Sequence, residues 1–458
     1  MSLFSKRQLP LLFIASILLL VMALFLLRPS APPIPPAPPA PAEAVAQATP
    51  ELPAAPVPAD PALAETPPAA LSILASAPDW TLLDEFQETI TRDLFEQQLT
   101  GVFTTGEAWR NVIEIDDTEA RILTGFTPNE GTFHLRFAPA GEIATAPRSW
   151  RNTAELPAAP LKKPLADLHI AIDPGHIGGK WAKMEERWFV VGDGLPVREG
   201  NMTLEVANLL KPRLEDLGAT VSLVRDKLEP VTPVRPEALL TLARESSAPD
   251  DSPASLQRLT ERLFYRTAEI RARAELVNET IKPDLVLCLH FNAEAWGDPH
   301  QPTLIQRTHL HLLLNGGYND EEVMLADQRF ALLYKLLQRT HEEEALVGAS
   351  VADAFAEISG LPPYSYPPKS PNARPVNDHP YLWARNLLAN RLYDCPVIFM
   401  EPYVMNSTLD HARIQAGDYD GLQEIQGRFL PSIYQEYTDA LVAGLTRHYR
   451  GARDIKEE

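Results

Sequence analysis

Strand-like and helix-like segments alternate from residue 165 onward, and this pattern predicts an α/β domain built on a mostly parallel sheet. Three of its apolar strands run straight into residues able to bind a metal or carry a proton. Ile170-Ala171-Ile172 breaks at Asp173-Pro174-Gly175 and reaches His176; Leu285 to Leu289 leads into His290; Pro396 to Met400 leads into Glu401. Ligands of an open parallel sheet bind beyond the carboxyl ends of its strands, so these positions should converge there. Glu199, at a helix start between the first and second of them, completes a quartet.

The elements follow in order. Lys6 and Arg7 precede an uncharged apolar run from Leu9 to Leu27, roughly 19 residues and long enough for one membrane-spanning helix. The run ends in Leu26-Leu27-Arg28-Pro29 without a small-residue cleavage context, so residues 1–28 read as an uncleaved signal anchor with its amino terminus inside. Either an anchor or a cleaved signal would export the remainder. Residues 29–78 are dominated by Pro and Ala, which cannot bury a core and should form an extended tether reaching on the order of 100 Å. Residues 79–140 read as a small α+β module of unassigned role. A helix is expected over Trp80 to Leu99 from the spacing of Leu82, Leu83, Phe86, Ile90, Leu94 and Phe95, and strands at Val112 to Ile115 and Phe133 to Phe137. A second linker occupies 141–164.

The main domain, 165–450, begins with a strand at Leu168 to Ile172. A helix follows from Asn201, with Leu204, Ala207, Leu210, Leu214 and Leu217 on its apolar side; Pro212 should kink it and Gly218 should stop it. Further strands are expected at Thr220 to Val224 and Thr303 to Leu314, and helices at Leu256 to Ile281, Glu322 to Glu343, Val351 to Ile358, Leu382 to Leu392 and Gln423 to Tyr449. Residues 451–458 form a charged tail.

Composition narrows the class. The chain has 458 residues, 45% of them hydrophobic, and a formal net charge of −20. That excess of acid and the absence of a basic run argue against a nucleic-acid partner. The two cysteines, Cys288 and Cys395, make no disulfide framework and read as buried structural thiols.

Two histidines and a glutamate are the donors a catalytic zinc takes, with a further position left for water, and an adjacent carboxylate can move the protons of a hydrolysis. The spacing lacks the short-range signature of a helix-borne His-Glu-x-x-His site.

The residues also carry a family resemblance. Asp173-Pro174-Gly175-His176 with Gly178-Gly179, Glu199-Gly200-Asn201, the strand ending at Arg225, the helix Arg271 to Asn278, Leu289-His290-Phe291-Asn292-Ala293, and Pro396 to Glu401 followed by Asn406 resemble the zinc-dependent N-acetylmuramoyl-L-alanine amidases of bacterial cell walls. The resemblance spans nearly all of residues 165–449. It implies a mixed sheet flanked by helices, one zinc ion held by His176, Glu199 and His290, Glu401 as catalytic carboxylate, and Asn292 on the substrate side. The implied reaction is hydrolysis of the amide joining the lactyl group of N-acetylmuramic acid to L-alanine of the stem peptide. The implied partner is peptidoglycan, met in the periplasm or cell-wall space.

Departures from the family pattern set alternatives. Ile177 replaces a usual glycine, and the stretch from Lys180 to Pro196 is longer than usual, so Glu185 and Glu186 compete with Glu199 for the metal. The segments 228–258 and 315–377 also exceed the pattern. His309 and His311 share one strand face and could back the metal; His379 has no assigned role. A silent peptidoglycan-binding domain or a same-fold hydrolase of another amide are the competing functions, and the filled quartet argues against the first.

Overall fold

The computed structural model describes residues 71–456 other than 126, 249 and 250. The expected membrane span at 9–27 and the Pro-rich tract as far as residue 70 lie outside the described residues. Among the described residues, no helix is long and apolar enough to cross a membrane.

Residues near the amino-terminal end of the described chain form helix α1 (Arg92–Gln98) and an antiparallel sheet of β1 (Ile113–Ile115), β2 (Glu119–Leu123) and β3 (Thr132–Arg136). Their apolar side is closed by Tyr318, Leu332, Leu333 and Leu336 from the segment 315–377. The expected single helix over Trp80 to Leu99 is instead a 3-10 turn, Trp80–Phe86, followed by α1, because Thr91 caps the second segment through its side chain. The strand β2 has no counterpart among the sequence expectations.

The main sheet contains β4 (His169–Pro174), β5 (Thr220–Leu223), β6 (Leu285–Leu289), β7 (Leu310–Leu314), β8 (Arg374–Pro375), β9 (Leu382–Ala384) and β10 (Val397–Pro402). Their spatial order is β8-β9-β7-β10-β6-β4-β5. Pairing is parallel between β5 and β4, β4 and β6, β6 and β10, and β7 and β9; it is antiparallel between β10 and β7 and between β9 and β8. The fold is therefore mixed α/β with a mostly parallel sheet.

Helices cover both faces. Ile170, Ile172, Leu287, Leu289, Leu312, Ile398 and Met400 share one core with apolar residues of α2 (Glu199–Asp216), α4 (Thr340–Ser359) and α5 (Ile433–Ala452). Alternate residues of the same strands, Ala171, Val286, Cys288, Leu313, Val397 and Phe399, point the other way and meet Ala274 and Val277 of the helical run 253–281. Continuing that alternation puts Asp173, His290, Glu401 and His311 on this second face. Cys288 and Cys395 are free and buried, and burial raises both thiols, Cys395 to about 12.

Several element boundaries differ from the sequence expectation. Helix α2 begins at Glu199 and runs on through Pro212 to Asp216, where Gly218, at φ +98°, turns the chain. The strand expected from Thr303 shortens to β7, since Ile305 bonds Asn406 and bridges Ser407 instead of entering the sheet. The helix break expected after Glu343 falls at Arg339, whose φ of 59° separates α3 (Ala326–Gln338) from α4. Helix α4 then passes unbroken through Gly348, which lets it lie against Leu314, Leu382 and Ile398. Leu382 starts strand β9, not a helix, and only Leu388–Leu392 is helical. The closing helix starts at Ile433 because Gly427, at φ +75°, folds Gln423–Ile425 onto Arg428–Leu430.

The stretch read as the second linker carries fixed contacts. Trp150 is buried and donates to Gln338, and Arg151 pairs with Asp284 at 2.7 Å.

One ion network underlies the carboxyl end of β4. Arg273 pairs with Asp173 and Glu269, each at 2.8 Å, and all three side chains are buried. Removing one partner of such a network leaves charge buried without compensation, at a cost of about 3–5 kcal/mol. Arg273→Ala is therefore expected to lower unfolding stability by that amount in a urea titration, whereas Arg271→Ala, outside the network, should cost far less.

Candidate functional site

The turn after β4 delivers His176. Gly175 is required there by contact, because a Cβ would lie 2.2 Å from Cε1 of His290. His176 itself takes a left-handed φ of 59°, held by Arg273, which donates to the carbonyl oxygens of Pro174 and His176 at 2.8 Å. Arg225 adds a further donor to the Gly200 carbonyl at 2.8 Å. Gly200 in turn packs on Gly178, where a Cβ would meet the backbone nitrogen at 2.4 Å. These contacts tie the β4 turn to the first turn of α2.

Glu199, the first residue of α2, stands between the two histidines. Its Oε2 lies 3.1 Å from His176 Nε2 and its Oε1 lies 3.1 Å from His290 Nδ1. The Phe291 backbone N–H also donates to Oε1 at 3.1 Å. One donor atom from each of His176, Glu199 and His290 falls within 4.8 Å of the others, so the group could hold a metal ion. Burial alone would raise the Glu199 carboxyl, yet the two imidazoles carry it well below the usual range. Burial likewise lowers His290; at His176 the opposing burial is overcome only by the Glu199 charge together with hydrogen bonding to Glu185 and Glu199, which raise that ring.

Of the competing glutamates, Glu185 reaches the group from behind. It is buried, lies 3.6 Å from His176 Nδ1, and accepts the backbone N–H groups of Ile177 and Gly178 at 2.8 and 2.9 Å. Glu186 turns away to Tyr265 and Arg262. The long stretch after Gly179 is a hairpin, Trp188–Phe189 against Val197–Arg198, and its register pairs Trp188 with Arg198. Arg187 consequently faces Glu199, with Nε 3.2 Å from Oε2. Sequence reasoning missed Arg187; the Gly192-Asp193-Gly194 turn between two apolar pairs was the available hairpin signal.

Glu401, the last residue but one of β10, lies beside His290, whose ring stacks on Phe399 with centroids 4.2 Å apart. Burial pushes the Glu401 carboxyl up to about 8, with the Glu199 charge adding to it. Asn292 bridges to Val404 through its backbone, and its side chain accepts from the Ala293 N–H at 2.6 Å. Asn406 is fully buried and fixes the same loop by accepting from Glu294 and donating to Thr303.

His309 and His311 lie outside the His-Glu-His group. His311 pairs in register with Glu401, both histidine rings pack on Tyr364, and burial lowers His309 to about 4. His379 belongs elsewhere, 3.2 Å from Asp353.

No family model matches the chain, and no curated protein matches it. Among solved structures, the N-acetylmuramyl-L-alanine amidase Ami1 from Mycobacterium smegmatis is 15% identical, covering 63% of this chain and 99% of its own, with a TM-score of 0.33. The CwlD amidase from Clostridioides difficile, solved with the GerS lipoprotein, is 12% identical over 62% of this chain and 99% of its own, at a TM-score of 0.35. AmiC2 of Nostoc punctiforme, also an N-acetylmuramoyl-L-alanine amidase, is 15% identical over 62% and 96%, at 0.30. The chain is thus similar to solved N-acetylmuramoyl-L-alanine amidases.

Proposed function

We propose that this chain is an exported, zinc-dependent N-acetylmuramoyl-L-alanine amidase that frees stem peptides from the glycan of peptidoglycan. One observation carries the reading: His176, Glu199 and His290 bring their donor atoms together, and Glu401 lies near the end of the strand next to His290. Two imidazole nitrogens and one carboxylate fit zinc. The apolar run at residues 9–27 supports export and anchoring on the outer side of a membrane.

When bound, zinc would polarise the carbonyl under attack and make water reactive near neutral pH. The chain's own groups do the rest. Glu401 accepts a proton from the attacking water and passes it to the leaving nitrogen of L-alanine. The new bond joins the water oxygen to the lactyl carbonyl carbon, and the bond broken is that carbon's bond to nitrogen. Burial suits Glu401 to both roles, since a carboxyl raised toward neutrality gives up its proton as readily as it takes one. Glu185 orients His176 through Nδ1, leaving Nε2 for the metal. Asn292 fixes the loop on the substrate side of Glu401.

Metal analysis separates the glutamates. Zinc content should vanish in His176→Ala and Glu199→Ala, fall about 10–100-fold in affinity in Glu185→Ala, and stay unchanged in Glu186→Ala. Full retention of zinc in Glu199→Ala, or its loss in Glu186→Ala, would refute the ligand set.

Product analysis tests the reaction. Zinc-loaded protein incubated with peptidoglycan should release peptides with a free L-alanine amino terminus, identified by mass spectrometry and abolished by chelator. Glu401→Ala should keep its zinc and lose about 10²–10⁴-fold in rate. Equal release by wild type and Glu401→Ala would end the amidase reading.

A further inference from the structure

The hairpin that lengthens the connection between His176 and Glu199 brings a cation to the Glu199 carboxylate. Pairing of Trp188 with Arg198 sets Arg187 directly across from Glu199, and the Glu199 N–H donates to the Arg187 carbonyl at 3.4 Å. The guanidinium is then held at two of its nitrogens. Nε lies 3.2 Å from Glu199 Oε2, and NH1 donates to the Glu186 carbonyl at 3.0 Å. NH2 has no hydrogen-bond partner among the described residues. A planar fork fixed on two sides has little freedom left, so its remaining donor points in a set direction.

The charge of Arg187 reaches the rest of the site. Two carboxylates, Glu199 and Glu401, act on one another across the site. Arg187 is the foremost cation acting on Glu401 and also acts on His176, so its charge, fixed at Glu199, is felt by all three groups. A structural ion pair with Glu199 would not need this placement, because Glu199 already takes hydrogen bonds from His290 and Phe291 and sits beside His176. The Arg187 side chain keeps 21% of its surface exposed, against 2% for Glu199. The Arg187 side chain is thus more open to a group approaching from solvent than the carboxylate it pairs with.

We propose that Arg187 is a further catalytic residue, whose NH2 donates to the lactyl carbonyl oxygen of the substrate as negative charge develops there. The inference rests on the amidase reading. As the water oxygen bonds to the carbonyl carbon, the carbonyl π electrons move onto oxygen, and Arg187 stabilises that charge. As the carbon–nitrogen bond breaks, the pair returns to re-form the carbonyl, and Glu401 gives the water's proton to the departing amine. Nothing is oxidised or reduced, and water is the only co-reactant. Preorganised donors of this kind act on the transition state more strongly than on the bound substrate.

The test compares full-length wild type, Arg187→Ala and Arg187→Lys. Each is assayed for zinc content, for kcat and KM on a soluble muropeptide, and for calorimetric affinity for a phosphinate analogue of the tetrahedral species. Loss of one such donor costs about 10²–10³-fold in kcat. Arg187→Ala should show that loss in kcat and a matching loss in phosphinate affinity, with KM and zinc content close to wild type. Arg187→Lys should recover part of both. Zinc loss in proportion to activity would make Arg187 a support for Glu199 and overturn the proposal. Unchanged turnover, or faster turnover as from a removed latch, would overturn it too. A wild type that cleaves no muramyl amide defeats the functional reading itself, whereas an active wild type matched by Arg187→Ala defeats this inference alone.

Discussion

The Arg273 guanidinium is the constraint on which the site depends. His176 must turn back across the end of β4 in a left-handed conformation, which a residue with a Cβ adopts only when its surroundings impose it. Arg273 imposes it by donating to the Pro174 and His176 carbonyls. It can be buried there because Asp173 and Glu269 neutralise it and because Tyr393 donates to the second oxygen of Asp173 at 2.5 Å. Glu269 also accepts the backbone N–H groups of Val231 and Thr232, so the same network fixes the start of the segment 228–258. The first histidine is thereby locked to the helical run on one face of the sheet.

The second constraint is mutual contact between turns. Gly175 lies against the His290 ring, and Gly200 lies against Gly178. These close approaches bring a strand-end histidine and a helix-start glutamate within hydrogen-bond distance of each other, although residues 177–198 separate them in sequence. The intervening hairpin is anchored by the same carboxylates it flanks: Glu185 accepts two backbone donors of the β4 turn, and Arg187 pairs with Glu199. An insertion that supplies buried, charged partners to the group is part of the site's construction.

Much of this was legible in sequence, for a definite reason. A strand buried on both faces reads as an apolar run, and a polar residue closing such a run is conspicuous; that is how His176, His290 and Glu401 stood out. Glu199 was harder, since only its place at a helix start distinguished it from Glu185 and Glu186. The structure puts it between the histidines, while Glu185 reaches His176 from the opposite nitrogen. Arg187 and Arg273 were not singled out, because their positions depend on a two-residue hairpin and on helix-to-turn packing, neither of which has a strong local pattern. The misplaced boundaries have the same origin. Arg339 and Gly348 show no sequence signal for ending or continuing a helix; the first adopts a left-handed conformation and the second permits contact with three sheet residues.

Glu401 shows how position strengthens a carboxylate's hold on its proton. No described residue makes a hydrogen bond to it, whereas Glu199, Glu185 and Asp173 around it all accept such bonds. A carboxylate satisfied by donors is stabilised in its charged form and becomes a poor base; one left without them, buried and near another negative charge, binds a proton more readily. The strand register completes the contrast. On one side Met400 pairs with Leu289 and brings Glu401 beside His290; on the other Glu401 itself pairs with His311, which burial keeps neutral. Neither neighbouring strand offers Glu401 a fixed charge of opposite sign. Four acidic residues of similar composition are thus divided by hydrogen bonding into three that accept donors and one, Glu401, that accepts none among the described residues.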